Sequence, residues 1–242
     1  MDNFGNRMKD YEYAYRTKMP KRMPVIIRID GKAFHTYTKG MTKPFSSELA
    51  LTMWDTCKYL AQNIAGCKLA YHQSDEISLL ITNYDKLETE SWFDNNLQKM
   101  VSVAASLATA KFNEMAKERD LSENLALFDA RAFVLPKEEV TNYFIWRQQD
   151  AIKNSISSLA QANFTHKELQ HLNGQQMKDK LVEEKGVSWE DLPFWQQRGA
   201  CITRKQVIKN TVVRNKWLVD FKTPVFSEQR NYIDDFVYLD ED

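Results

Sequence analysis

Cys67-Lys68-Leu69-Ala70-Tyr71-His72-Gln73-Ser74-Asp75-Glu76-Ile77-Ser78-Leu79-Leu80-Ile81-Thr82 reads as a β-hairpin. Two short strands, residues 67–71 and 77–82, flank the polar turn His72-Gln73-Ser74-Asp75-Glu76, which lacks the Asn-Gly pair of the tightest hairpins. Upstream, residues 24–30 form a strand. Val25, Ile27 and Ile29 share one face, and Ile26, Arg28 and Asp30 share the other. Gly31 then lets the chain turn tightly. Residues 45–64 follow as a helix after Pro44, with Leu49, Met53, Cys57, Leu60 and Ile64 at helical spacing.

Beyond the hairpin, residues 91–116 read as a long helix on the stripe Phe93, Leu97, Met100, Ala104, Leu107 and Met115. Residues 125–135 are a strand that puts Leu127, Asp129, Arg131 and Phe133 on one face. Pro136 suits a first helical position and Glu138 and Glu139 suit the dipole, so a helix starts there and runs to about residue 161 on Ile145, Ile152, Ile156 and Leu159. A short helix at residues 175–184 and strands at 200–208 and 211–221 complete the pattern. The order β-α-β-β-α-β-α implies an α+β fold: a split βαβ, ferredoxin-like antiparallel sheet with helices on one face. Residues 1–135 would be the catalytic core. Residues 136–242 would be a C-terminal α/β extension packed on it, not an independent domain.

The 242 residues, 43% hydrophobic and 12% aromatic, suffice for a large core. Lys plus Arg balance Asp plus Glu at 33 each, so a polyanion partner must be met by a local patch. One candidate is residues 198–222, where Arg198, Arg204, Lys205, Lys209, Arg214, Lys216 and Lys222 face Asp220 alone. It reads as a solvated strand face or as a phosphate-backbone surface, and position alone favours the first. Cys57, Cys67 and Cys201 have no metal-ligand spacing, and their odd number suggests no disulfide framework. The N-terminal residues lack a signal-peptide core, and the apolar run 101–110 is too short to span a bilayer, so a cytoplasmic location without membrane partners is expected.

In this topology the first strand neighbours the hairpin. Asp30 and Asp75 then converge although 45 residues apart. Two carboxylates plus the Gly31 carbonyl suit Mg²⁺, whose shell substrate phosphates complete, and a two-metal site spaces its ions about 3.5–4 Å apart. Taken singly, Asp30-Gly31 and Ser74-Asp75-Glu76 are ordinary turn residues; their combination with the topology favours the metal site. Lys32, Ala33, Phe34 and His35 are placed to offer backbone N–H groups to a triphosphate. Lys43 is either a phosphate contact or a solvated lysine. Asp129 and Arg131 read better as a structural ion pair than as catalytic groups. Trp146 and Arg147 read as helix packing and a helix-surface ion pair, with RNA or triphosphate contact as the alternative for Arg147, Lys153 and Asn154.

Five motifs occur in order: Arg28-Ile29-Asp30-Gly31-Lys32-Ala33-Phe34-His35, Lys43-Pro44, Gln73-Ser74-Asp75-Glu76, Phe128-Asp129-Ala130-Arg131 and Trp146-Arg147-Gln148-Gln149-Asp150. The set resembles the tRNA-His guanylyltransferase (Thg1) superfamily of 3′-to-5′ nucleotide polymerases, over about residues 5–210. The resemblance implies a polymerase-like palm with two Mg²⁺ ions on Asp30, the Gly31 carbonyl and Asp75, and Glu76 as a supporting acid. It implies triphosphate contacts at Lys32, Ala33, Phe34, His35, Lys43 and Ser74, with Asn154 retained. GTP, ATP and tRNA would be its partners and a homotetramer its assembly. Eukaryotic members follow Trp-Arg-Gln with Asp-x-His-Ile-Asn-Asn, whereas here Ile152 and Ser155 replace the histidine and the last asparagine. The chain therefore looks more like the bacterial and archaeal Thg1-like branch, which repairs 5′-truncated tRNA, than a strict tRNA-His enzyme. RNA contact would fall on Arg147, Lys153, Arg198, Arg204, Lys205 and Lys209. A nucleotide cyclase on a similar palm and a non-catalytic tRNA-binding protein are the rivals.

Overall fold

The computed structural model describes residues 3–209 and 212–239. Along the chain run α1 (Asn3–Tyr13), β1 (Val25–Gly31), α2 (Phe34–Tyr37), α3 (Ser47–Asn63), β2 (Cys67–Gln73), β3 (Glu76–Ile81), α4 (Leu97–Glu118) and β4 (Phe128–Val134). There follow α5 (Lys137–Asn163), α6 (His166–Leu169), α7 (Gly174–Lys185), α8 (Phe194–Arg198), β5 (Ala200–Lys209), β6 (Val212–Asp220) and α9 (Asn231–Asp234). The strands make one antiparallel sheet in the order β4-β1-β3-β2-β5-β6. Its first four members have the ferredoxin-like order expected of a split βαβ unit.

Alternation along β1 divides the core. Val25, Ile27 and Ile29 pack with Met53, Cys57 and Leu60 of α3 and Met100, Ala104 and Phe112 of α4. Ile26 points the other way, onto a second cluster with Leu69, Tyr71 and Leu80 of the sheet and Val140, Tyr143 and Phe144 of α5. Helices therefore cover both faces, not one. The physical reason lies in β3, which is buried at every residue and so must be covered on both sides.

Helix α4 begins later than the sequence suggests. Phe93, Asp94 and Asn95 adopt left-handed backbone, and Asn96 caps the helix by accepting from Lys99 N at 3.1 Å. The buried stripe of α4 is Met100, Ala104, Ala108, Phe112 and Met115, which leaves Phe93 outside it. Helix α3 is capped by Ser46, whose hydroxyl accepts from Leu49 N at 3.2 Å. The exposed helix α1 is a further addition to the expected pattern.

Strand β5 pairs with β2 only from Ala200 to Thr203. Beyond Thr203 it pairs with β6 alone, so residues 204–209 and 212–217 leave the sheet as a two-stranded ribbon. The three cysteines are unpaired, and burial pushes the Cys201 thiol up to about 12. Among the described residues no helix is long and apolar enough to cross a membrane.

Candidate active site

The end of β1 and the turn between β2 and β3 meet in register. Asp30 stands opposite Glu76 on one side and Asp129 on the other. Cross-strand partners point to the same face, so three carboxylates line one level of the sheet on the α5 side. The hairpin reverses through Ser74 and Asp75 alone, and Ser74 takes a φ of 53°. Ala33 has the same φ at the start of α2. Left-handed backbone is uncommon away from glycine and concentrates at sites where the surroundings enforce it. Both residues border a cavity of about 410 Å³, together with Gly31, His35 and Asp75. An adjoining cavity of about 140 Å³ shares Leu49 and Ser74 with it and extends to Pro44, His72, Asn154 and Trp195.

Gly31 is required here by space. A Cβ on it would stand 2.2 Å from the Phe34 ring. That ring is buried among Tyr37, Phe112 and Phe128 and anchors α2 against the sheet.

The electrostatics of the turn are strained. Burial raises the Asp75 carboxyl above the ordinary aspartate range, and the charge of Asp30 raises it further. Burial likewise raises Glu76, opposed by Arg147. Arg147 Nε donates to Glu76 Oε1 at 2.8 Å and its Nη2 donates to Asp150 Oδ2 at 2.7 Å. Arg28, on the same face, has a buried Nε without a hydrogen-bond partner. One guanidinium is thus committed to Glu76, and Asp30 and Asp75 remain as a crowded pair that a divalent cation would relieve.

The model of the Thg1 family, described as tRNAHis guanylyltransferase, matches residues 5–136 of this chain. The chain belongs to the tRNAHis guanylyltransferase family. Members of that family are nucleotidyltransferases, so the carboxylate turn lies in an enzyme fold. The chain is similar to a bacterial tRNA-His guanylyltransferase-like protein solved in complex with ATP, at 62% identity and a TM-score of 0.92, over 98% of this chain and 100% of that one. The structure of such a protein with GTP matches at 61% identity and 0.88, with the same coverage. A probable tRNA-His guanylyltransferase of Drosophila melanogaster is 27% identical over 76% of this chain and 68% of its own length.

Against the family motifs, the structure gathers Asp30, Gly31, Ala33, Phe34, His35, Ser74, Asp75 and Glu76 around one corner. Phe34 reaches it only through its backbone, since its ring is in the core. The N–H of Lys32 is taken by the Leu127 carbonyl at 2.8 Å, and the first amide bonded within α2 is Thr36 N, to Ala33 O. Lys43 is exposed on the loop before α3. Asn154 is exposed on α5, where its amide donates to Asp150 at 3.4 Å, and Lys153 beside it is exposed too.

Arg147 and Trp146 exchange the roles that composition assigns them. Arg147 is 6% exposed and held inward by Glu76, while Trp146 is 53% exposed with the Arg147 guanidinium 4.3 Å from its ring centre. Arg147 is therefore turned away from any RNA on the surface. Asp129 and Arg131 form an exposed ion pair at 3.6 Å. Ser155, at the position of the family's last asparagine, accepts from Trp189 Nε1 at 2.9 Å.

Within the basic segment, Arg198 donates to the Thr223 carbonyl and to its neighbour Gln197, which ties the end of α8 to the loop after β6. Arg204 and Lys205 are exposed on opposite faces of the ribbon, Lys205 level with Lys216 and Arg204 level with Trp217. Lys209 pairs with Val212 through its backbone; its side chain lies outside the described residues. His72 and Trp54 join this corner without being marked by the sequence. Neither has a local signal, because they meet only when α3 packs on β2.

Proposed function

We propose that this protein adds nucleotides in the 3′-to-5′ direction to the 5′ end of tRNA, repairing truncated ends against a template. The observation that carries the reading is the meeting of Asp30 and Asp75 beside a cavity bordered by Gly31, Ala33, His35 and Ser74. Among the described residues no three His, Cys, Asp or Glu side chains form a metal cluster. Two carboxylates and a carbonyl fit Mg²⁺ nonetheless, because that ion keeps several waters and takes substrate phosphates as ligands. Asp30, the Gly31 carbonyl and Asp75 would hold it, as a pair of ions in the full complex. When bound, Mg²⁺ supplies acidity to an attacking hydroxyl and charge neutralisation to the leaving phosphates.

The 3′-hydroxyl of an incoming nucleoside triphosphate attacks the activated 5′ phosphorus of the tRNA. The P–O bond to the activating group breaks, and pyrophosphate or a nucleotide leaves. The chain contributes by orientation. The amides at the start of α2 and the Ser74 hydroxyl face the triphosphate, Lys43 supplies a point charge, and Arg147 holds Glu76 in place. Relatives solved with ATP and with GTP support both nucleotides as ligands of this chain. Ile152 and Ser155 in place of the family's histidine and asparagine support repair over addition restricted to tRNA-His. Lys205, Arg214 and Lys216 on one ribbon face would meet RNA backbone. We place the enzyme in the cytoplasm as a homotetramer, with residues 1–135 as core and 136–242 as an extension.

Labelled tRNAs lacking one 5′ nucleotide test this reading. Wild type should restore the end with Mg²⁺, whereas Asp30→Ala and Asp75→Ala should fall by about 10²–10³-fold or more while binding tRNA normally. Wild-type rates in both variants would remove the metal assignment. Extension of tRNA-His alone would restore the strict guanylyltransferase, and conversion of nucleoside triphosphate without RNA would indicate a cyclase.

A further inference from the structure

The turn that carries Asp75 is braced from below by a buried pair the family motifs do not include. Trp54, on the inner face of α3, donates its indole N–H to His72 Nδ1 at 3.1 Å. His72 Nε2 lies 2.8 Å from the Ser74 carbonyl. Both side chains are buried, at 5% exposure each. An indole N–H can only donate, so Nδ1 must be the acceptor and the ring proton must sit on Nε2. The Nε2–H then donates to Ser74 O. Trp54 thus selects the tautomer, and the tautomer holds the carbonyl of the residue whose left-handed backbone turns the chain into Asp75.

The frame around this pair is rigid. The Trp54 ring meets Trp195 and Phe221 edge-on, at centroid distances of 5.5 and 5.3 Å. His72 is paired with Ile77 on one side and Ala200 on the other. Gly199 lies so near that a Cβ on it would stand 2.4 Å from the His72 carbonyl. Burial also keeps the imidazole neutral, with its pKa lowered to about 4, so Nδ1 stays available to accept.

We propose that His72, fixed as the Nε2–H tautomer by Trp54, is a positioning residue that holds the Ser74 turn and thereby aims Asp75 at the cation and nucleotide phosphates. The inference rests on the functional reading above for what Asp75 serves, and on geometry alone for the Trp54–His72–Ser74 chain. The brace acts through the backbone. Its loss should therefore weaken use of the Mg²⁺–nucleotide complex and slow turnover without changing tRNA affinity.

Three measurements test it. In ¹⁵N-histidine spectra of the wild-type protein, His72 should show a protonated Nε2 and an unprotonated Nδ1. His72→Phe should lose most of the thermal stabilisation given by Mg²⁺ with ATP, and its kcat should fall by about tenfold or more, as a sub-ångström to 1 Å misplacement does, with KM for tRNA unchanged. His72→Gln, whose side-chain amide can stand in for Nε2–H, should recover most of both. An Nδ1–H tautomer, a fully active His72→Phe, or a folded His72→Gln as impaired as His72→Phe would overturn the proposal. If His72→Phe does not fold, Trp54→Phe removes the indole donor alone, and an unaltered tautomer with unaltered kcat in that variant would overturn it equally. A wild-type protein that extends no tRNA would sink the functional reading, yet the tautomer and the Mg²⁺–ATP response would still judge the brace.

Discussion

The two faces of the sheet are built from different materials. Toward α3 and α4, β1 and β3 send Ile27, Ile29, Ile77 and Leu79, all fully buried and apolar. Toward α5, the same strands send apolar Ile26 and Leu80 together with Arg28, Asp30, Glu76 and Ser78, and the helix answers the polar set with Tyr143 on Ser78 and Arg147 on Glu76. The first face supplies mainly hydrophobic stabilisation, with the Trp54–His72 pair as its buried polar exception. The second spends stability on buried charge to hold carboxylates at fixed positions. The strand period of two lets one sequence do both, residue by residue.

The most disruptive way to break this division is to unbalance the α5 face. Arg147→Met would leave Glu76 buried without its partner, and such a loss costs about 3–5 kcal/mol. Chemical denaturation should show it, and Glu76→Gln in the same chain should recover part of it. On the α3–α4 face, Leu79→Ala should cost about 2–5 kcal/mol by leaving a cavity. The remaining folded enzyme should keep its kcat. A selective loss of kcat in Leu79→Ala would show that apolar packing on this face tunes the site beyond the Trp54–His72 brace.

The sequence disclosed the sheet because its signals are local. Alternating Ile residues mark β1, and an apolar run after a polar turn marks β3. It disclosed the carboxylate corner because two short motifs flank neighbouring strands. The inner side of α5 was hidden. Hydropathy sends Trp146 inward and Arg147 outward, and the partner that reverses this, Glu76, lies 71 residues away. The same holds for His72, whose neighbour Trp54 is 18 residues upstream on another element. The late start of α4 was hidden for a different cause. The helical stripe continues through Phe93, but backbone turns at residues 93–95 interrupt it.

A gentler test concerns Asp75. Its folded-state pKa is raised, chiefly by burial and then by Asp30. Between the unfolded and folded values the native state therefore binds more protons than the unfolded chain. By linkage, stability falls as pH rises through that window and stays lower above it. Asp75→Asn should flatten this slope and make the metal-free protein at least as stable as wild type at pH 7. Added Mg²⁺ should raise the wild-type melting temperature at pH 7 and leave the variant's unmoved. Equal slopes in both proteins would mean that the carboxylate pair carries no stored repulsion.

The smallest expected effect lies outside both faces, on the ribbon. Lys205 and Lys216 stand directly opposite each other there, a like-charge pair whose repulsion of about a few tenths of a kcal/mol is offset in part by Asp220, 3.8 Å from Lys205 on the same face. Arg214, level with Val207, falls on the same ribbon face. If that face meets tRNA backbone, Lys216→Ala should weaken binding modestly and lower the slope of log affinity against log salt by about 0.7–0.9. Arg198→Ala should leave the slope unchanged, because Arg198 is occupied by Thr223 and Gln197. The pair of substitutions separates charge that is available to RNA from charge already used in folding. An unchanged slope in Lys216→Ala would leave the ribbon a solvated feature, and would move the RNA surface to the α5 side, where Lys153 is exposed next to Asn154, which borders the smaller cavity.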